Sequence, residues 1–218
     1  MQRTGNPNLN TKFYWDTTYE DVQKRQEYQV DTEEIEHPVV VNNIPVYPTR
    51  RFSTAVAMVR DGDKTIDIGC GTSGFVSRVL EKDPTNESWG VDISSTVIEQ
   101  NKKACPDGVF FQQYIGDMDK VPDDYFDVAF AGEVLEHLEE PRLLFEDARR
   151  CLKNGGKFII TTPNERQILS KEHLWYFTKD DIQKLYEDAG FSNIEFINLK
   201  DFESKVVIVA VGEKCQKK

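Results

Sequence analysis

The stretch "KTIDIGCGTSGFVSRVLEK" (64–82) constrains the fold more than any other part of the chain. A β-branched run, Lys64 to Ile68, ends in glycines. A helical run then follows at once, with Phe75, Val76, Val79 and Leu80 on one face. Strand, glycine-rich turn and helix in that order open a βαβ unit, whose next strand returns parallel to the first. Gly69, Gly71 and Gly74 complete a GxGxxG turn, which lets the chain bend tightly and brings its backbone close to a ligand.

The alternation continues. "SWGVDI" (88–93) reads as a second strand, and Ser94 or Ser95 can cap the helix "STVIEQNKKAC". "GVFFQQYI" (108–115) and "YFDVAFA" (125–131) read as the third and fourth strands. "PRLLFEDARRCLK" (141–153) opens with proline and stops at "NGG", and "KFIITTP" (157–163) is a fifth strand. Thr178 and Asp181 have capping-box spacing at the head of a helix that ends at Gly190. "SNIEFINLK" and "SKVVIVAVGE" follow with no helix between them, which predicts an antiparallel hairpin. The expected architecture is α/β: a doubly wound, seven-stranded mixed sheet closed by that hairpin, with ligands beyond the carboxyl ends of the strands. Residues 1–60 are expected to pack over that edge as an N-terminal helix and loop, forming a lid or substrate wall. Residues 61–213 are expected to form the catalytic domain, and 214–218 a disordered tail.

A net charge of -11 argues against broad binding to nucleic acid or anionic membrane. No apolar run approaches membrane-spanning length, and "MQRTGNPNLNTKF" lacks the apolar segment of a secretion signal. Cys70, Cys105, Cys151 and Cys215 show no ligand spacing, so reduced thiols in a cytoplasmic protein are expected.

Asp92 closes the second strand, where an acid can accept hydrogen bonds from two ribose hydroxyls. A nicotinamide dehydrogenase would satisfy that pattern. However, Asp67 lies two residues before the first glycine, where a pyrophosphate gains nothing from another negative charge, and the chain is short for a separate substrate domain. "IDIGCGTSG", Asp92, "GDMDKVP", "FDVAFAGEVLEHL", "LKNGGKFIITTPN" and the closing hairpin resemble, in order, a Rossmann-like class I S-adenosylmethionine-dependent methyltransferase. The resemblance implies that Asp67, Gly69 and Gly71 line the methionine part of S-adenosylmethionine. It puts Asp92 on the ribose, Ile93 against the adenine, Asp117 on the adenine amino group and Met118 over the ring. Glu133 falls near the sulfonium, and Arg50 in "YPTRR" falls where relatives hold the cofactor carboxylate.

"GEVLEHLEE" (132–140) spaces Glu133, Glu136 and His137 at i, i+3 and i+4, which places them on one side of a helical turn. Three readings are open. The turn is amphipathic, with Val134, Leu135 and Leu138 buried and the charges in solvent; or His137 is a general base, with Glu136 beside it in the catalytic pair; or the group binds a metal. His173 in "SKEHLWYFT" also falls at the carboxyl edge and supplies a fourth ligand, so the metal set is Glu133, Glu136, His137 and His173. That donor set suits Mn²⁺ or Mg²⁺.

The pattern resembles the small-RNA 2′-O-methyltransferases, in which a divalent ion holds a ribose diol. "EVLEHL" also resembles the ubiquinone-biosynthesis O-methyltransferases. An acidic chain without a basic extension or a basic amphipathic helix disfavours RNA and membrane. The expected acceptor is therefore a soluble sugar-like vicinal diol, whether a glycan, a nucleotide sugar or a glycosylated small molecule. The alternatives are a metal-free small-molecule O- or N-methyltransferase, an RNA 2′-O-methyltransferase and a non-catalytic cofactor-binding module. His37, in an acidic stretch, reads as a surface residue. Tyr14, Trp15, Trp175, Tyr176 and Phe177 read either as a lid or as packing of the N-terminal segment.

Overall fold

The computed structural model describes residues 2–3, 10–24, 39–41, 44–46, 51–72, 74–163, 172–200 and 206–215. In chain order the elements begin with β1 (Gln2–Arg3), α1 (Lys12–Lys24), β2 (Val39–Val41), β3 (Ile44–Val46) and α2 (Arg51–Ala57). The alternating part runs β4 (Lys64–Ile68), α3 (Gly74–Lys82), β5 (Glu87–Asp92), α4 (Ser95–Ala104), β6 (Val109–Gln112), β7 (Phe126–Gly132), α5 (Pro141–Cys151) and β8 (Leu152–Pro163). It closes with β9 (Trp175–Tyr176), α6 (Lys179–Asp188), β10 (Phe191–Lys200) and β11 (Val206–Lys214).

The main sheet has seven strands in the order β10-β11-β8-β7-β4-β5-β6. β4 to β8 are mutually parallel, and β11 pairs antiparallel with both β8 and β10. The seven-stranded mixed sheet and its antiparallel closing pair are those expected from the sequence. Strand order reverses between β4 and β7, because the chain builds β5 and β6 on one side before returning to build β7 and β8 on the other.

Helices on both faces explain the near-continuous apolar runs of the central strands. Val128 and Phe130 of β7, with Ile159 of β8, face Ala55 and Val56 of α2 and Phe75 and Val79 of α3. The alternate residues Ala129, Ala131, Phe158 and Ile160 face Leu144, Phe145 and Ala148 of α5 and Ile182 and Tyr186 of α6. The capping box of α6 is formed, with Thr178 accepting from the Asp181 amide and Asp181 accepting from the Thr178 amide. Ser94 caps α4 by accepting from the Val97 amide.

Three expectations need correction. α5 ends at Cys151, before "NGG", and β8 starts immediately, with Leu152 opposite Phe126. The glycines form an irregularity inside the strand: the register resumes at Val128 opposite Lys157, and Gly155 adopts φ +79°. The turn after β7 is a 3₁₀ turn of three residues, Leu135–His137, rather than an α-helix. Lys214, assigned to the tail, ends β11 and is buried, its ammonium donating to Asp124 and to the Leu152 carbonyl, both at 2.6 Å. Residues 216–218 lie outside the described residues.

The fully buried Tyr186 hydroxyl lies 3.0 Å from the carbonyls of both Phe158 (β8) and Ala210 (β11), tying α6 to the reversed strand. Tyr186→Phe should therefore destabilise the fold by about 1 kcal/mol, measured as a fall in Tm of roughly 3 °C.

Candidate functional site

The cavity of interest lies where the strand order reverses, at the carboxyl ends of β4 and β7. It encloses about 210 Å³, and its walls include Gly69, Val91, Asp92, Ile93, Glu133 and His137. The amides of Gly69 and Cys70 both donate to the Val91 carbonyl, at 2.8 and 2.9 Å, which folds the glycine-rich turn over β5. Gly69 has φ +78°, and a Cβ there would fall 2.5 Å from a methyl of Val134, so the turn requires glycine.

Asp92 accepts from the Gly71 amide at 3.0 Å and the Ser94 amide at 2.9 Å. Burial outweighs these donors and pushes its carboxyl up to about 6. Asp67 is buried behind the turn rather than on the wall, and its carboxyl is raised by burial and then by the charge of Asp92.

The sequence reading placed Gly69, Asp92, Ile93 and Glu133 at the cofactor, and all four line the cavity. Gly71, Asp117 and Met118, placed there too, do not. Asp117 is exposed in a turn, its amide donating to the Tyr114 carbonyl at 2.8 Å, and Met118 is buried in the hydrophobic core with Val121 and Phe126. Gln113, Tyr114 and Ile115 occupy that wall instead. They directly follow β6, so the rule that ligands lie beyond strand carboxyl ends pointed to them. Arg50 and His37 lie outside the described residues.

The acidic-imidazole group is rearranged. Glu133 has φ +55°, a left-handed conformation uncommon for a residue with a side chain. Its amide donates to the Thr161 carbonyl at 2.9 Å and its carboxylate accepts from the Thr161 hydroxyl at 3.0 Å. This reversal separates Glu133 from its expected partners. Glu136, His137 and His173 form the group, each with a ligand atom within 4.8 Å of the others, and Glu133 is not part of it. Glu136 is 1% exposed, so the reading of a solvated amphipathic turn does not hold.

Glu136 accepts from the Thr162 hydroxyl at 3.0 Å on Oε2, while Oε1 lies 3.9 Å from His137 Nε2. His137 Nδ1 is 3.1 Å from the Glu172 carbonyl. A carbonyl only accepts, so Nδ1 carries the proton and the Nε2 lone pair faces Glu136. Burial, and then the charge of His173, push His137 down to about 4. The two imidazole rings lie 4.9 Å apart, edge to face. The Leu174 amide donates to the Glu136 carbonyl at 2.7 Å, fixing the segment that carries His173.

The N-terminal segment contributes Asn10, Trp15 and Tyr19 to the cavity wall, which sequence reasoning found only for Trp15. The Trp15 ring meets His137 edge-on at 5.3 Å. Of the other aromatics named above, Phe177 is core and Trp175 donates its Nε1–H to the Leu138 carbonyl at 2.6 Å.

The raised Asp92 carboxyl gives the cavity a pH signature. An unfolded carboxyl titrates near 3.8 and Asp92 in the fold near 6. Its protonated form therefore stabilises the fold fully below the lower value, and that contribution is lost as pH rises through about 6. Asp92→Asn should flatten the pH dependence of Tm between those values in the ligand-free chain, measured by thermal denaturation.

Residues 66–160 match the family described as "Methyltransferase domain". The chain is 35% identical over 126 residues to the uncharacterised protein MJ1123 of Methanocaldococcus jannaschii, covering 58% of this chain and 56% of that one. It is 28% identical over 163 residues to the ubiquinone/menaquinone biosynthesis C-methyltransferase UbiE of Paraburkholderia phytofirmans, covering 71% and 62% of the two chains. The chain thus spans about three fifths of the length of these curated relatives. Its fold is similar to that of a TehB-like methyltransferase from Corynebacterium glutamicum, with a TM-score of 0.63 at 20% identity over 91% of this chain and 98% of that one. Matched segment, ordered motifs and seven-stranded sheet make this chain similar, over that segment, to the class I S-adenosylmethionine-dependent methyltransferases.

Proposed function

We propose that this chain transfers the methyl group of S-adenosylmethionine to a hydroxyl oxygen of a sugar-like vicinal diol, with a divalent ion held by Glu136, His137 and His173. The observation that carries the reading is the convergence of one buried carboxylate and two imidazoles at the rim of the cofactor cavity.

The donor set suits an ion. Both imidazoles are needed neutral, and His137 at about 4 is neutral at physiological pH. Its Nδ1–H bond to a carbonyl leaves Nε2 as the ligand atom, and the Thr162 hydroxyl orients Glu136 from behind. Two imidazoles favour Mn²⁺ or another transition ion over Mg²⁺, and the absence of a thiolate disfavours a closed zinc site. An imidazole near 4 is also a weak general base at pH 7, which favours His137 as a ligand over His137 as a base.

When bound, the ion lowers the pKa of a diol hydroxyl and the cofactor supplies an electrophilic methyl carbon. The chain's own part is positional. Gly69, Asp92, Ile93 and His137 all line one cavity, so donor and acceptor would meet within a single chamber. Glu133 presents a carboxylate to the same cavity, where it favours the cationic sulfonium. Trp15 and Tyr19 cover the chamber and limit access of water.

A second reading is metal-free transfer, in which His137 Nε2 takes the acceptor's proton. It is favoured by the UbiE relatives, which are C-methyltransferases by name. Chelation separates the two. The ion-bound enzyme should lose turnover of a diol acceptor in EDTA and regain it with Mn²⁺, whereas metal-free transfer should be indifferent. Measured by calorimetry in EDTA, Glu136→Ala and His173→Ala should each keep S-adenosylhomocysteine affinity within about threefold of the wild type, and with Mn²⁺ restored each should cut turnover at least a hundredfold. Loss of cofactor affinity in both would show that the trio belongs to the cofactor site.

A further inference from the structure

The N-terminal segment bridges the two halves of the site. On the cofactor side, Asp16 of α1 accepts from the Ser94 hydroxyl at 2.5 Å and the Thr96 amide at 3.1 Å, beside Asp92 and Ile93. Lys12 bonds both Asp16 and the Ser95 hydroxyl. On the trio side, Asn10 donates from Nδ2 to the Glu172 carbonyl at 2.9 Å, the same oxygen that receives His137 Nδ1. The Tyr14 hydroxyl donates to the Glu172 carboxylate, one residue before His173.

Asn10 carries a further signal. Its amide orientation is set by the Glu172 carbonyl, which requires a donor. Oδ1 is thereby left buried without a hydrogen-bond partner, in a residue that lines the cavity. A buried acceptor left unmatched is unfavourable, and a donor on a molecule filling the cavity would relieve it.

We propose that Asn10 and Tyr14 are positioning residues that hold His137 and His173 in register with Glu136 through Glu172. Because the same segment walls the cofactor cavity, filling that cavity tightens the trio's grip on a divalent ion. This rests on the reading of the trio as an ion site. The coupling is reciprocal: the ion must raise cofactor affinity by the same factor.

The test is Mn²⁺ binding to the full chain, followed by electron paramagnetic resonance of the free ion, with and without saturating S-adenosylhomocysteine. In the wild type, S-adenosylhomocysteine should raise Mn²⁺ affinity on the order of five- to tenfold. Asn10→Asp keeps the side-chain volume but cannot donate to the Glu172 carbonyl when ionised. It should lose the enhancement, and Tyr14→Phe, which retains the packing, should reduce it. A purely packing role would leave both variants with the wild-type enhancement, and that result would overturn the proposal. So would Mn²⁺ binding in the wild type that ignores S-adenosylhomocysteine; either outcome leaves the ion-site reading standing. No Mn²⁺ binding by the wild type would overturn both. Should Asn10→Asp fail to fold by circular dichroism, Tyr14→Phe decides alone.

Discussion

The reversal of strand order between β4 and β7 is the constraint on which the site depends. The chain leaves β4 towards one face of the sheet and β7 towards the other, so a crevice opens between the two exits. Both exits demand an abrupt change of direction, and both have left-handed backbone: Gly69 at φ +78° and Glu133 at φ +55°. The glycine takes this conformation freely. The glutamate bears a strain on the order of 1 kcal/mol, offset by its two hydrogen bonds to Thr161. What the strain achieves is placement. It directs a carboxylate into the cavity wall and starts the 3₁₀ turn that carries Glu136 and His137 to the rim.

Electrostatics follow from that geometry. The chain is acidic overall, and Asp92 and Glu133 bring two carboxyl groups to the cavity wall. Such surroundings suit a cationic sulfonium better than its neutral thioether product. Under the proposed methyl transfer the cofactor would lose its charge beside these carboxyl groups, which would weaken retention of the product.

Much of this was legible in the sequence, and what was hidden shares a cause. Apolar periodicity located the strands and helices because central strands buried on both faces and amphipathic helices leave different patterns. Gly69, Asp92 and Ile93 were readable because their positions relative to strand ends are local properties. His173 was readable as an imidazole between a strand and a capped helix. The positive φ of Glu133 was not, since nothing in "GEVLEHL" distinguishes an α-turn from a left-handed residue followed by a 3₁₀ turn. The fate of Asp117 and Met118 was hidden because it depends on how a turn settles onto α5. Asn10, at the start of a polar segment, gave no local sign of reaching Glu172, a contact across 162 positions.

The reversed strand has a consequence for how the chain assembles. β11 follows β10 in sequence yet lies between β10 and β8 in space. β10 has no place in the main sheet until β11 is docked, because β11 is its neighbour there. Until then the outer edge of β8, with its apolar run Phe158–Ile160, stays unpaired, a ready template for another chain. Assembly of this sheet is therefore most exposed to aggregation late, when β4 to β8 are already in place and β11 has still to pair with both β8 and β10.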